Sequence, residues 1–103
     1  MKFGEVIAEA RKKANLSQKE LAARIIKEDG QNISPQYLND IEHSRRNPPS
    51  EHMIEQFAKI LGLPADILYY YAGKLAADLR DVQADDNQVI RAYSAFRRQI
   101  KGK

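Results

Sequence analysis

The chain has 103 residues, with 17 Lys and Arg against 14 Asp and Glu, a net charge of +3, and no cysteine. That length suits one domain with little left over for a second, and the missing cysteine removes disulfides, thiolate metal sites and cysteine nucleophiles together. A hydrophobic fraction of 43% with 30% charged residues describes an ordinary soluble globule, and no run of about 18 apolar residues offers a membrane span.

In chain order, Phe3, Val6, Ile7, Ala10 and Ala14 recur at helical spacing and predict a first helix over 2–14. Glu5 and Glu9 interrupt its apolar positions, so it does not read as a secretory signal, and a cytoplasmic setting is expected. Ser17-Gln-Lys-Glu20 has the form of a capping box, in which serine and glutamate satisfy each other's backbone amides. Leu21, Ala22 and Ile25 then predict a second helix reaching about Lys27, ended by Asp29-Gly30 and a polar loop to Asn32. Ser34-Pro35 starts a third helix, because serine caps and proline surrenders an amide that had no partner. Leu38 and Ile41 are its inward anchors, and Ser44 to Pro49 is a loop carrying Arg45, Arg46 and Asn47.

Ser50 caps a fourth helix with the stripe Ile54, Phe57, Ala58 and Leu61, closed by Gly62. A fifth begins at Pro64 and carries Ile67, Leu68 and Tyr71 inward before Gly73, leaving Tyr69 or Tyr70 for a surface. Residues 74–84 read as a turn with a short helical piece near Asp78 to Val82. Asp85 or Asp86 caps a last helix with Val89, Tyr93, Phe96 and Ile100 along one narrow seam. That seam either folds back on its own domain or meets a partner. No strand pattern, internal repeat or low-complexity segment is evident.

Charge alone names no partner, since residues 1–50 hold nine basic and seven acidic side chains and residues 51–103 hold eight and seven. Placement is more informative. Two capped helices joined by a turn, with a basic loop behind them, can present a helix N-terminus to the DNA major groove and backbone amides to phosphates. The runs L-S-Q-K-E-L-A-A-R and I-S-P-Q-Y-L-N-D-I-E-H-S-R-R-N-P-P-S resemble the Xre/Cro-type, lambda-repressor-like helix-turn-helix family over about residues 3–72.

The resemblance implies an all-α, compact five-helix bundle, here over 1–73; residues 74–103 depart from the family core as an extension whose additional C-terminal helix rests on its own apolar spacing. It also implies a sequence-specific transcriptional regulator of double-stranded DNA, a repressor acting as a homodimer and associated with the bacterial nucleoid. Gln18, with Lys19 beside it, matches the start of the second helix. Ser34 and the outward Gln36, Tyr37, Asn39 and Asp40 match the recognition helix, and Arg45, Arg46 and Asn47 match the loop that approaches phosphates. Arg11 matches a first-helix arginine that pairs with a glutamate, here Glu42, as a structural salt bridge. Two departures stand out. The turn between Arg24 and Ser34 is about five residues longer than usual, and Pro35 replaces a base-reading side chain, which shifts reading onto Gln36, Tyr37 and Asn39.

Asp40 is repelled by phosphates unless it accepts from cytosine, so helix support is its competing role. His43 and His52 lack the converging ligands that zinc requires, and no nucleophile–base pair or phosphate-cradling glycine loop marks an enzyme. No cofactor or metal is expected. Tyr69-Tyr70-Tyr71 cannot form one stacking platform, because successive helical residues point about 100° apart. Val89, Tyr93, Phe96 and Ile100 are the candidate dimer or partner surface. The competing functional class is a protein-interaction module of the same fold, such as an antitoxin or adaptor, gripping its partner through residues 74–103.

Overall fold

The computed structural model describes residues 1–102. Their regular elements are seven helices: α1 (Phe3–Lys13), α2 (Gln18–Ala22), α3 (Pro35–Glu42), α4 (Glu51–Leu61), α5 (Ala65–Ala72), α6 (Ala77–Arg80) and α7 (Asp86–Lys101). The first five pack around one core, with α1 against α3, α4 and α5, α2 against α3, and α4 against α5. Ile7, Leu21, Leu38, Ile54, Phe57 and Leu68, one or two from each helix, are fully buried there. Each such side chain contributes about 1.5–3 kcal/mol by leaving water. An all-α bundle is therefore what the helical periodicities build.

Capping sets the helix starts. Ser17 Oγ accepts from the Glu20 amide at 3.0 Å, and Glu20 Oε1 accepts from the Ser17 amide at 2.9 Å. Those two bonds hold the Glu20 carboxyl below the usual carboxylate range. Ser34 Oγ accepts from the Tyr37 amide at 3.0 Å, with Pro35 in the first helical position. At the other ends, Gly62 and Gly73 terminate α4 and α5 with φ of +69°, a conformation that costs glycine nothing.

Gly4 serves a different purpose. A Cβ built on it would lie 2.1 Å from the Ile41 carbonyl oxygen and 2.7 Å from that of Glu42. The N-terminal turn of α1 thus lies directly on the C-terminal backbone of α3, an approach that any side chain would prevent.

The second helix is shorter than its sequence suggests. It ends at Ala22 rather than near Lys27, and residues 25–33 form a small antiparallel excursion with an isolated bridge between Ile26 and Asn32. The Ile33 amide donates to the Ile25 carbonyl at 3.1 Å, and Lys27 donates to Gln31 at 2.7 Å. The Asn32 side chain donates to the Ala23 carbonyl at 2.6 Å, capping the end of α2. Ile25 and Ile33 are both buried, so the excursion leaves the core and returns to it through paired anchors. β-Branched Ile25 and Ile26 favour this extended form over another helical turn. The excursion rests on α4: Gln56 accepts from the Ile26 amide at 2.7 Å and donates to its carbonyl, and His52 Nε2 lies 3.0 Å from the same oxygen. The enlarged turn is therefore a docked hairpin.

In α5 the inward tyrosine is Tyr69, not Tyr71. Tyr69 is 2% exposed, whereas Tyr71 is 36% and Ile67 41% exposed. Tyr69 sits one residue from Leu68 on the face that meets α4, where its hydroxyl donates to Glu55 Oε2 at 2.6 Å. The helical piece between residues 74 and 84 is α6, slightly earlier than expected, and Arg80 pairs with Glu51. Asp85 caps α7, with Gln88 closing the box.

Gly4→Ala is expected to lower stability by about 2–3 kcal/mol in urea unfolding, because backbone rather than a pliable side chain opposes the new methyl. A second expectation concerns alkali. Burial, then the hydrogen bond to Glu55, raises the Tyr69 phenol well above its ordinary 10.0. A group raised in the folded state stabilises fully below its unfolded pKa, so this contribution fades as pH climbs past about 10. Tyr69→Phe should flatten that alkaline loss, measured as urea midpoint against pH.

Candidate nucleic-acid interface

The start of α2 and the middle of α3 are joined by polar contacts that begin at one buried carboxylate, Glu42, and the loop after α3 is tied to that helix through a second carboxylate, Asp40. Glu42, at the end of α3, is 7% exposed. Arg11 donates to it twice, Nε to Oε2 at 2.7 Å and Nη2 to Oε1 at 3.0 Å. Its remaining nitrogen, Nη1, donates to the Leu16 carbonyl at 2.9 Å. One guanidinium thus fixes α1, the α1–α2 connection and α3 together. The hydrogen bond that Arg11 donates to Glu42 raises the Arg11 pKa against the opposing pull of burial, so the arginine stays charged.

Gln18 extends the network to the surface. Its amide donates to Glu42 Oε1 and to Asn39 Oδ1, both at 3.0 Å. Asn39 is half-buried and held by α2 through its side-chain oxygen. Lys19 and Ser34 are exposed beside the two helix starts.

The next row is organised by Asp40. Gln36 Nε2 donates to Asp40 Oδ1 at 3.0 Å. Arg45 Nη1 stands 3.6 Å from the same oxygen, and Arg46 Nε stands 3.7 Å from Oδ2. The Arg46 guanidinium also lies over the Tyr37 ring, 4.5 Å from its centroid, and Tyr37 in turn packs against the core. Such a stack is worth about 0.5–1 kcal/mol at an exposed site. Ser44, with φ of +59°, reverses the chain so that both arginines return along α3. Asn47 shares an open groove with Tyr37, Arg45 and Arg46, and Glu28 of the hairpin also lines it.

The structure thus gathers most of the sequence-derived residues into two sets and leaves Lys19, Ser34 and Asn47 beside them. Arg11, Glu42, Gln18 and Asn39 form one; Gln36, Tyr37, Arg45 and Arg46 form the other through Asp40. Val89, Tyr93, Phe96 and Ile100 lie apart, on α7. Asp40 is the feature that sequence reasoning undervalued: its place one helical turn after Gln36 and five and six residues before the arginines was the available signal. The hold of Gln56 and His52 on the hairpin had no sequence signal, since α4 lies more than twenty residues away. Among the described residues, no group of three or more His, Cys, Asp or Glu could hold a metal ion, and no helix is long and apolar enough to cross a membrane.

Two capped helix starts, one of them shallow and polar, with cationic side chains in the following loop, define a helix-turn-helix protein. A helix-turn-helix family profile matches residues 7–68, more than half of the chain. The chain belongs to the Xre/Cro-like helix-turn-helix family of DNA-binding regulators. No curated protein and no solved structure matches it.

Arg11→Met should cost about 3 kcal/mol in urea unfolding, because it strands a buried carboxylate. Replacing both partners, Arg11→Met with Glu42→Leu, should recover most of that loss.

Proposed function

We propose that the chain is a sequence-specific transcriptional regulator of double-stranded DNA, a repressor that binds as a homodimer to two half-sites in the cytoplasm, at the nucleoid. The observation that carries this reading is the arrangement of α3. Its capped N-terminus presents Gln36 and Asn39 from a scaffold that holds both, and Arg45 and Arg46 follow on the same side.

In this reading α3 enters the major groove. Gln36, Tyr37 and Asn39 meet base edges, while Gln18, Lys19, Ser34, Arg45, Arg46 and Asn47 meet the sugar-phosphate backbone. Phosphate contacts supply most of the affinity, and base contacts supply selectivity. Asp40 accepts from Gln36 and forms ion pairs with both arginines, so its charge is compensated within the protein before DNA arrives. Two copies reading one face of the duplex require half-site centres about 34 Å apart.

Selection from a random DNA library tests this directly. The expected product is a two-fold symmetric site; binding without preference that disappears at moderate salt would overturn it. Gln36→Ala should relax preference at one base position by about 1–3 kcal/mol of discrimination. Arg46→Gln should instead weaken all sequences alike and reduce the slope of log affinity against log salt by about 1.

A second reading is favoured by α7, whose apolar stripe lies uncovered: the same fold acts as an antitoxin or adaptor that holds a protein partner there. Salt-sensitive, unselective DNA binding together with tight partner capture would favour that reading.

A further inference from the structure

α7 is an amphipathic helix that its own chain leaves largely bare. Along its stripe Val89 is 43%, Phe96 47%, Tyr93 52% and Ile100 58% exposed, and neighbouring Ile90 is 62% exposed. Phe96 meets Tyr70 of α5 at 6.1 Å between ring centroids. The radius of gyration is 15.4 Å, against about 13 Å for a compact domain of this length, as expected when one helix stands off the body. A helix of 16 residues is marginal in water unless its apolar face is covered.

The charges on α7 say what covers it. Asp85 and Asp86 begin the helix, and Arg97, Arg98 and Lys101 end it. At 100° per residue, Asp86, Ile90, Arg97 and Lys101 line one flank of the apolar stripe. When two copies of a helix pair antiparallel about a two-fold axis, like flanks meet, and each end lies beside the opposite end of its mate. Asp86 then comes level with Lys101 of the second copy, and Ile90 lies under the aliphatic stem of its Arg97. Within the seam Val89 faces Ile100 and Tyr93 faces Phe96, each pair twice. A parallel pair would instead bring the two acidic starts level with each other and the two cationic ends level with each other, with helix dipoles aligned.

We propose that α7 pairs antiparallel with α7 of a second copy of this chain, and that this pairing forms the homodimer. The proposal rests on the homodimeric reading above and specifies its surface and its direction.

Sedimentation equilibrium of the full chain without DNA tests it. The wild-type chain is expected to be dimeric at micromolar concentration, with Phe96→Glu weakening association about a hundredfold while helix content persists, since the core lies in α1–α5. Asp86→Lys and Lys101→Asp should each weaken association roughly tenfold at low salt, and the combined swap should return it to within about threefold of wild type. Only antiparallel pairing brings those two positions together, so absence of recovery overturns the proposed direction. A dimer indifferent to Phe96→Glu, or a monomeric chain at about 100 µM, overturns the surface. A monomer that still selects a defined DNA site sinks this proposal alone. A dimer on α7 without DNA selectivity supports it and sinks the regulator reading.

Discussion

The fork between Arg11 and Glu42 is the constraint on which the rest of this molecule depends. A carboxylate buried at the end of α3 is unstable there unless strong donors surround it. Arg11 provides two, and Gln18 provides a third. The donors come from two segments, α1 and α2, so satisfying one charge on α3 also fixes the relative positions of all three helices. Replacing the set with apolar side chains could hold the helices as firmly, but it would not aim Gln18 and Asn39 at the surface.

Around that fork the polar groups are arranged in depth. Glu42 lies innermost, Gln18 and Asn39 are half-buried, and Gln36 with the two arginines is exposed. Asp40 repeats at the surface what Glu42 does inside: one carboxylate organises the donors around it. Exposed ion pairs of this kind add little stability. What they offer is order, because side chains already gathered lose less freedom on meeting a ligand. The Tyr37 ring under Arg46 acts in the same direction.

The hairpin at 25–33 shows how a helix-turn-helix accommodates extra residues without disturbing its two helices. Ile25 and Ile33 keep both ends in the core, Asn32 caps α2, and the Gln56 amide grips the Ile26 peptide from α4. The insertion is thus tied at its base and along one edge, and α3 starts where Ser34 and Pro35 require it.

Much of this was legible locally. Ser17 and Glu20, Ser34 and Pro35, Ser50, and Asp85 with Gln88 specify helix starts through contacts three residues apart, and Gly62 and Gly73 specify ends; such signals survive without knowledge of the fold. The spacing of Ile7, Leu38, Ile54, Phe57 and Leu68 similarly determined an all-α core. Tertiary structure decided the rest, where competing local choices were close in energy. Ile25 fits one more turn of α2 as well as a strand, and pairing with Ile33 settled it. Tyr69 and Tyr71 are the same residue type two positions apart, and the face that α5 turns to α4, where Glu55 accepts from the hydroxyl, selected Tyr69 for burial. Gly4 gives no periodic signal, because its role is the missing side chain that lets α1 touch the backbone of α3. The sequence by itself determined which helices form and which charges are available. The tertiary structure decided which charge is buried, because burial depends on donors brought together from residues more than twenty positions apart.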